Sequence, residues 1–182
     1  MKHIYAFALL SCAVISSIAQ DGVYNDLQSA LANLQDVKTL DLSNQELTEI
    51  HSSIPMMTNL EKLDLSNNKI TTVPSSLHML ANLKELNLSH NKLITLPTNL
   101  NLLALLEVLQ VNNNRIKLLP NNIYLCKTLK KILANDNPLE SLPPNIYLLK
   151  ALEQIDARNT QITKLPYMIK NSSINIWLGN KE

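Results

Sequence analysis

The chain has 182 residues, 46% of them apolar, and 16 basic against 15 acidic side chains for a formal charge of +1. That length suits one domain with ample core. The neutral, mixed charge excludes a nucleic-acid binder, which needs a basic stripe against phosphates, and Gly22 and Gly179 form no phosphate-cradling loop.

Residues 1–19 read as a secretory leader. Lys2 and His3 form a short polar start, Ile4 to Ile18 is mostly apolar, and Ser17-Ile18-Ala19 supplies the small-x-Ala pattern that precedes cleavage. The mature chain is expected to start at Gln20, in a secreted or periplasmic setting. The apolar run is short of the roughly 20 residues a membrane span needs, and polar Gln20-Asp21-Gly22 follows at once. A rival reading takes Leu9-Leu10-Ser11-Cys12 as a lipoprotein box acylated at Cys12. The apolar stretch before Cys12 is short and continues past it, which favours cleavage after Ala19. Cleavage leaves Cys126 alone, so no intramolecular disulfide forms.

Tyr24, Leu27, Leu31 and Leu34 recur at three- and four-residue spacing. They predict an amphipathic helix over 21–34, within an N-terminal cap of residues 20–36 that covers the first open core.

From Val37 the same pattern restarts every 23 residues, at Leu60, Leu83, Leu106, Leu129 and Leu152, giving six repeats over residues 37–173. In the third, the apolar places are Leu83, Leu86, Leu88, Leu93, Leu96, Leu100 and Leu103. The opening Leu-x-x-Leu-x-Leu ends on a period of two, which reads as a short strand. No single unit of this length buries its own apolar face, so stacked neighbours must share one core under a parallel sheet. Cys126 takes the place held by Leu80, Leu103 and Leu149 and reads as a small buried hydrophobe.

The ninth place holds Asn68, Asn91, Asn114 and Asn137, with Gln45 and Thr160 in the terminal repeats. Val73-Pro74, Leu96-Pro97, Leu119-Pro120, Leu142-Pro143 and Leu165-Pro166 follow in register. Proline fixes its own φ and donates no hydrogen bond, which suits the turn onto the outer side. The combined pattern resembles the leucine-rich repeat family in its 23-residue class. The resemblance implies an α/β solenoid, a curved right-handed superhelix with a parallel sheet on its concave face and an N-terminal capping helix. It also implies an internal ladder of Asn68, Asn91, Asn114 and Asn137, and recognition of a protein partner, secondarily of peptides or glycans. An amide at that place can both donate to and accept from backbone left open where the coil leaves its strand. Residues 174–182 form the C-terminal cap, with Ile174 to Leu178 a truncated strand and Trp177 a lid on the last coil.

The outward places of the strands form columns on the concave side. The candidate partner-binding residues are Lys62, Asp64, Glu85, Asn87, His90, Val108, Gln110, Lys131, Leu133 and Arg158. Val108 and Leu133, read as exposed, together with Arg158 place the expected contact in the middle-to-late repeats. On the convex side a further column runs Met79, Leu102, Leu125, Leu148, with Tyr124 and Tyr147 beside it. The convex segments are expected to turn so as to bury it; facing outward, it would make a stripe for a homodimer or docking surface.

No residue is assigned to catalysis, cofactor binding or metal ligation. His51, His78 and His90 occupy different faces of their repeats, and the Asp41, Asp64 column reads as solvated. Asn87-Leu88-Ser89 and Asn171-Ser172-Ser173 match the glycosylation acceptor pattern. The expected function is a non-catalytic protein-binding scaffold with no cofactor, no nucleic-acid partner and no membrane span. The alternative is a structural or surface-associated protein that self-assembles through the convex stripe.

Overall fold

The computed structural model describes residues 20–171 and 173–179; the leader, its cleavage point and Cys12 lie outside them. Eight short strands form one open, all-parallel sheet in strict chain order. They are β1 (Val23–Tyr24), β2 (Thr39–Asp41), β3 (Lys62–Asp64), β4 (Glu85–Asn87), β5 (Val108–Gln110), β6 (Lys131–Leu133), β7 (Gln154–Asp156) and β8 (Asn175–Trp177). From β2 to β7 the register repeats the 23-residue period, so Leu40, Leu63, Leu86, Leu109, Ile132 and Ile155 face one another along one inner row. All six are almost fully buried. Each of β2 to β8 contributes one inward side chain flanked by two outward ones, the alternation a pleat imposes.

Each coil returns along the outer side through a short 3-10 turn. Pro74, Pro97, Pro120, Pro143 and Pro166 stand before these turns, and their carbonyls accept the N–H of Leu77, Leu100, Ile123, Ile146 and Ile169 at 3.0–3.2 Å. Proline costs nothing there, because a first-turn N–H has no internal partner. The apolar residue three places on plunges into the core opposite the strand. Each buried leucine or isoleucine contributes roughly 1.5–3 kcal/mol, and the coil is too thin to hold any of them without its neighbours.

One outer column departs from expectation. Met79, Leu102 and Leu125 are exposed, each at the end of its 3-10 turn, and only Leu148 is half-buried. Met56 joins the same row. The turn is a three-residue helix, so its inward side is filled by Leu77, Leu100 and Ile123, and the residue two places later must point away. Beside them a second set of side chains ties coils together from outside. Asn59, Asn82, Asn99 and Asn122 each donate to a carbonyl 24 residues earlier at 2.7–2.9 Å.

The ends differ from the spacing-based reading too. Helix α1 spans only Leu27–Ala32, capped by Asp26, whose carboxylate accepts the N–H of Ser29 at 2.8 Å. Residues ahead of it extend instead as β1, with Val23 paired to Thr39 and Tyr24, buried, to Leu40. Pairing with an otherwise open sheet edge outweighs another turn of marginal helix. At the far end β8 pairs with β7 at an offset of 21 residues, Asp156 opposite Trp177. That register puts Trp177 in an outward column, 46% exposed, and not over the core as a lid.

Candidate partner-binding face

The outward columns are set largely by backbone needs. The eighth place holds Asn44, Asn67, His90, Asn113, Asp136 and Asn159, and every one has a positive φ between 52° and 59°. The chain leaves its strand through the left-handed region, where Asn, Asp and His are the side-chain-bearing residues most often found. His90 therefore sits in its column because of the turn, exposed and 3.5 Å from the amide of Asn113.

The fifth place carries a second backbone task. Asp41, Asp64, Asn87 and Asp156 each accept, through Oδ1, the N–H two residues on, at 2.8–3.2 Å. This side-chain turn steers the chain out of the strand. Gln110 and Leu133 break the column, and no side chain caps the N–H of Asn112 or Asn135. The seventh place is not free surface either: Ser66 and Ser89 are buried, although their column reads as outward in the sequence.

Below this face the ninth-place amides line up inside. Asn91 donates to the carbonyls of Leu65, Leu88 and Ser89 at 2.9–3.2 Å, and its Oδ1 accepts the N–H of Ile70 at 2.9 Å. Asn114 and Asn137 repeat the arrangement, accepting from Leu93 and Ile116. Asn68 accepts from both Gln45 and Leu47. Thr160 bonds only within its own coil, to the carbonyl of Ala157 at 2.8 Å.

Charges on the strand surface pair between the same place in adjacent coils. Lys62 meets Glu85 at 2.8 Å, Lys84 meets Glu61 at 2.7 Å, and Lys130 meets Glu107 at 2.7 Å. Lys84 holds the Glu61 carboxyl below its ordinary range, and Glu107 raises Lys130. The second place of the repeats alternates in sign along its whole length: Lys38, Glu61, Lys84, Glu107, Lys130, Glu153. Periodicity of apolar residues conceals this pattern, and only reading each place down the stack exposes it.

Of the sequence-picked residues, Lys62 and Lys131 are exposed, and Asp64, Glu85, Asn87, Val108, Gln110 and Leu133 are half-buried on one continuous face. Val108 and Leu133 are thus a half-covered apolar pair and not a fully exposed one. A shallow depression of about 200 Å³ runs over Asp41, Lys62, Asp64, Glu85, Asn87 and Gln110. Arg158 is pinned: its Nε and Nη2 donate to both oxygens of buried Asp156 at 2.9 and 2.6 Å, and its guanidinium lies 5.2 Å from the centre of the Trp177 ring. Trp177 is the large anchor that sequence reasoning left out of this face, because a lone tryptophan after the last repeat reads as a lid on the core.

Among the described residues no group of three His, Cys, Asp or Glu is placed to hold a metal ion. Cys126 is buried, and burial pushes its thiol up to about 11, far from a thiolate at neutral pH. No helix among the described residues is long and apolar enough to cross a membrane.

Comparison with known proteins agrees with this geometry. A family model described as leucine rich repeat matches residues 35–93. A solved LRR protein of Leptospira interrogans is 28% identical with a TM-score of 0.61, over 85% of this chain and 53% of that one. Internalin C2 of Listeria monocytogenes is 27% identical with a TM-score of 0.73, over 87% of this chain and 68% of that one. InlP of the same species shares the fold at 24% identity and a TM-score of 0.66, over 80% of this chain and 42% of that one. The chain thus spans about half the length of the Leptospira structure. No curated protein matches the sequence at a significant level.

Proposed function

We propose that this chain, a leucine-rich repeat protein, is a secreted or periplasmic, non-catalytic scaffold that holds a protein partner against the concave face of its sheet. One observation carries the reading. The fifth-place column gives up its backbone cap only at Gln110 and Leu133, in the same two coils where the third place holds Val108 and Lys131. A departure from a structural rule without a structural return is where a functional surface is expected. Together these four side chains make a half-buried apolar pair rimmed by an amide and a free-ended lysine, a small version of an interface core with a polar rim.

The test begins with the mature chain as bait in its native compartment, followed by affinity measurement on the recovered protein. Leu133→Asn restores the cap on the Asn135 N–H while removing the apolar contact, so the fold is kept and the affinity is expected to fall about tenfold or more, as for loss of a contact worth 1–2 kcal/mol. Equal affinity in Leu133→Asn and Val108→Ala would eliminate this patch. Location is tested separately: mass spectrometry of the exported chain is expected to find Gln20 at its N-terminus, and an acylated Cys12 would overturn cleavage after Ala19.

A second reading rests on the outer row. Met56, Met79, Leu102 and Leu125 stand exposed on successive coils, a regular apolar stripe that self-association would cover. Sedimentation at micromolar concentration decides it: a monomer that stays a monomer removes the assembly reading.

A further inference from the structure

We propose that the seam between helix α1 and the first coil is a small-molecule site, which takes an aliphatic ammonium with its apolar chain inside and its charged head at Glu49. A cavity of about 330 Å³ opens there, within the size range of small-molecule sites. Half-buried Leu27 and Leu47 frame it, and behind them stand Leu42 and Ile54, both almost fully buried. Glu46, Glu49 and His51 make the rim. The cavity follows from the way the first coil departs from the others. Gln45 stands at the ninth place, but where the ladder asparagines turn inward it turns outward, exposed, with its Nε2 donating to the carbonyl of Asn25 at 3.2 Å. The chain then swings away from the core with Glu46 at a φ of 57°, whereas Lys69, Lys92, Arg115, Pro138 and Gln161 at the same place have no positive φ. Asn68 Oδ1 fixes this swing by accepting the N–H of both Gln45 and Leu47. Helix α1 has six residues, and it leaves the seam beside Leu47 open.

Walls and rim select different parts of the ligand. The four aliphatic side chains favour an apolar body, since every methylene placed among them leaves water. The rim favours a cationic head. Glu46 is already met by Lys69 at 3.1 Å. Glu49 is exposed and makes no hydrogen bond or ion pair among the described residues. Nδ1 of His51 accepts the N–H of Ser53 at 3.2 Å, so the neutral ring carries its proton on Nε2. Among the described residues that line the cavity there is no lysine or arginine. An anionic head therefore meets like charge, and a neutral head gains nothing ionic from Glu49. An ammonium has three donors and no acceptor, which matches a carboxylate with no partner of its own.

The exported chain is titrated with hexylammonium and octylammonium, with octanol and octanoate as controls, while backbone amide shifts are followed by NMR. Octylammonium is expected to shift the amides of Leu47, Thr48 and Glu49 saturably. It is expected to bind about fifteenfold more tightly than hexylammonium, since each buried methylene is a factor of about four. Glu49→Gln is expected to weaken octylammonium about threefold and Glu49→Lys about tenfold, the modest effect of an exposed ion pair lost or reversed, with octanol unchanged in both. Glu49 is exposed, so neither variant disturbs the core. No saturable shift at these amides, octanoate bound as well as octylammonium, a gain below about twofold for the two methylenes, or unchanged octylammonium affinity in Glu49→Lys would overturn the proposal. The proposed protein contact at Val108 and Leu133 lies on the fourth and fifth coils, so neither result depends on the other.

Discussion

Replacing Asn91 with leucine isolates what one inward amide does. The side chains are close in size, so the change is in hydrogen bonding. Asn91 donates to the carbonyls of Leu65 and Leu88, but both keep another amide partner, Asn68 and Asn114 respectively. The Ile70 N–H has no such reserve: its acceptor is Asn91 Oδ1, and Ile70 is fully buried. An orphaned buried donor costs about 1–3 kcal/mol, partly offset by the gain from burying leucine. We therefore expect Asn91→Leu to lose about 2 kcal/mol in urea unfolding, or to lower Tm by roughly 4–8 °C for a chain of this length. Asn114→Leu supplies the matched case. It orphans only the buried N–H of Leu93, while the carbonyls of Leu88 and Val111 keep Asn91 and Asn137 as donors. If burial of the orphaned donor sets the cost, the two variants lose similar amounts. A loss below about 0.5 kcal/mol in either would refute the reasoning.

Three further outcomes are expected. Ser89 is buried with its hydroxyl unpartnered, so Ser89→Ala is expected to leave unfolding free energy unchanged or raise it by up to about 1 kcal/mol; a clear loss in the same urea assay would show that the hydroxyl is bonded. His90 has φ of 55°, so His90→Gly is expected to be at least as stable as the parent and His90→Val about 1–2 kcal/mol less stable than the glycine variant, read as paired thermal melts. Cys126 has its thiol pushed up to about 11 from an ordinary value of 9.0. The native state therefore holds a proton that the unfolded state releases, and this contribution is intact below pH 9 and lost as pH rises to 11, about 3 kcal/mol in all. Melts across that range should fall more steeply for the parent than for Cys126→Ala, and parallel slopes would sink the assignment.

The interior of the fold is legible because apolar residues repeat at fixed places: Leu63, Leu86, Leu109 and Ile132 could sit nowhere else once a period of 23 is seen. The ends are not legible in that way, since neither follows the period. Tyr24 belongs to the apolar face of a short helix by spacing, and only the open edge of β2 draws it, with Val23, into a strand. Ile176 and Trp177 follow a repeat shortened by two residues, so counting 23 from Gln154 reaches Trp177, which instead pairs with Asp156: the slip keeps the side and changes the column. Outer positions differ from the periodic reading for a third reason. Met79, Leu102 and Leu125 look like core by composition, but a 3-10 turn has three residues per turn and presents them to water.

The concave columns show most clearly why a polar face read from sequence overstates its binding surface. Asn, Asp and Ser dominate there, and each column has a local reason. The eighth place needs residues tolerant of positive φ, the fifth needs an acceptor for the N–H two residues ahead, and the seventh is buried at Ser66 and Ser89. None of these demands a partner. Once they are set aside, Val108, Gln110, Lys131 and Leu133 in the middle coils stand out as neighbouring outward residues that none of these three reasons covers. An asparagine at 110 and 133 would cap its turn, so folding alone gives no return for glutamine and leucine there. Substitution at these positions is therefore expected to alter binding while leaving the coils intact, as the proposed contact requires.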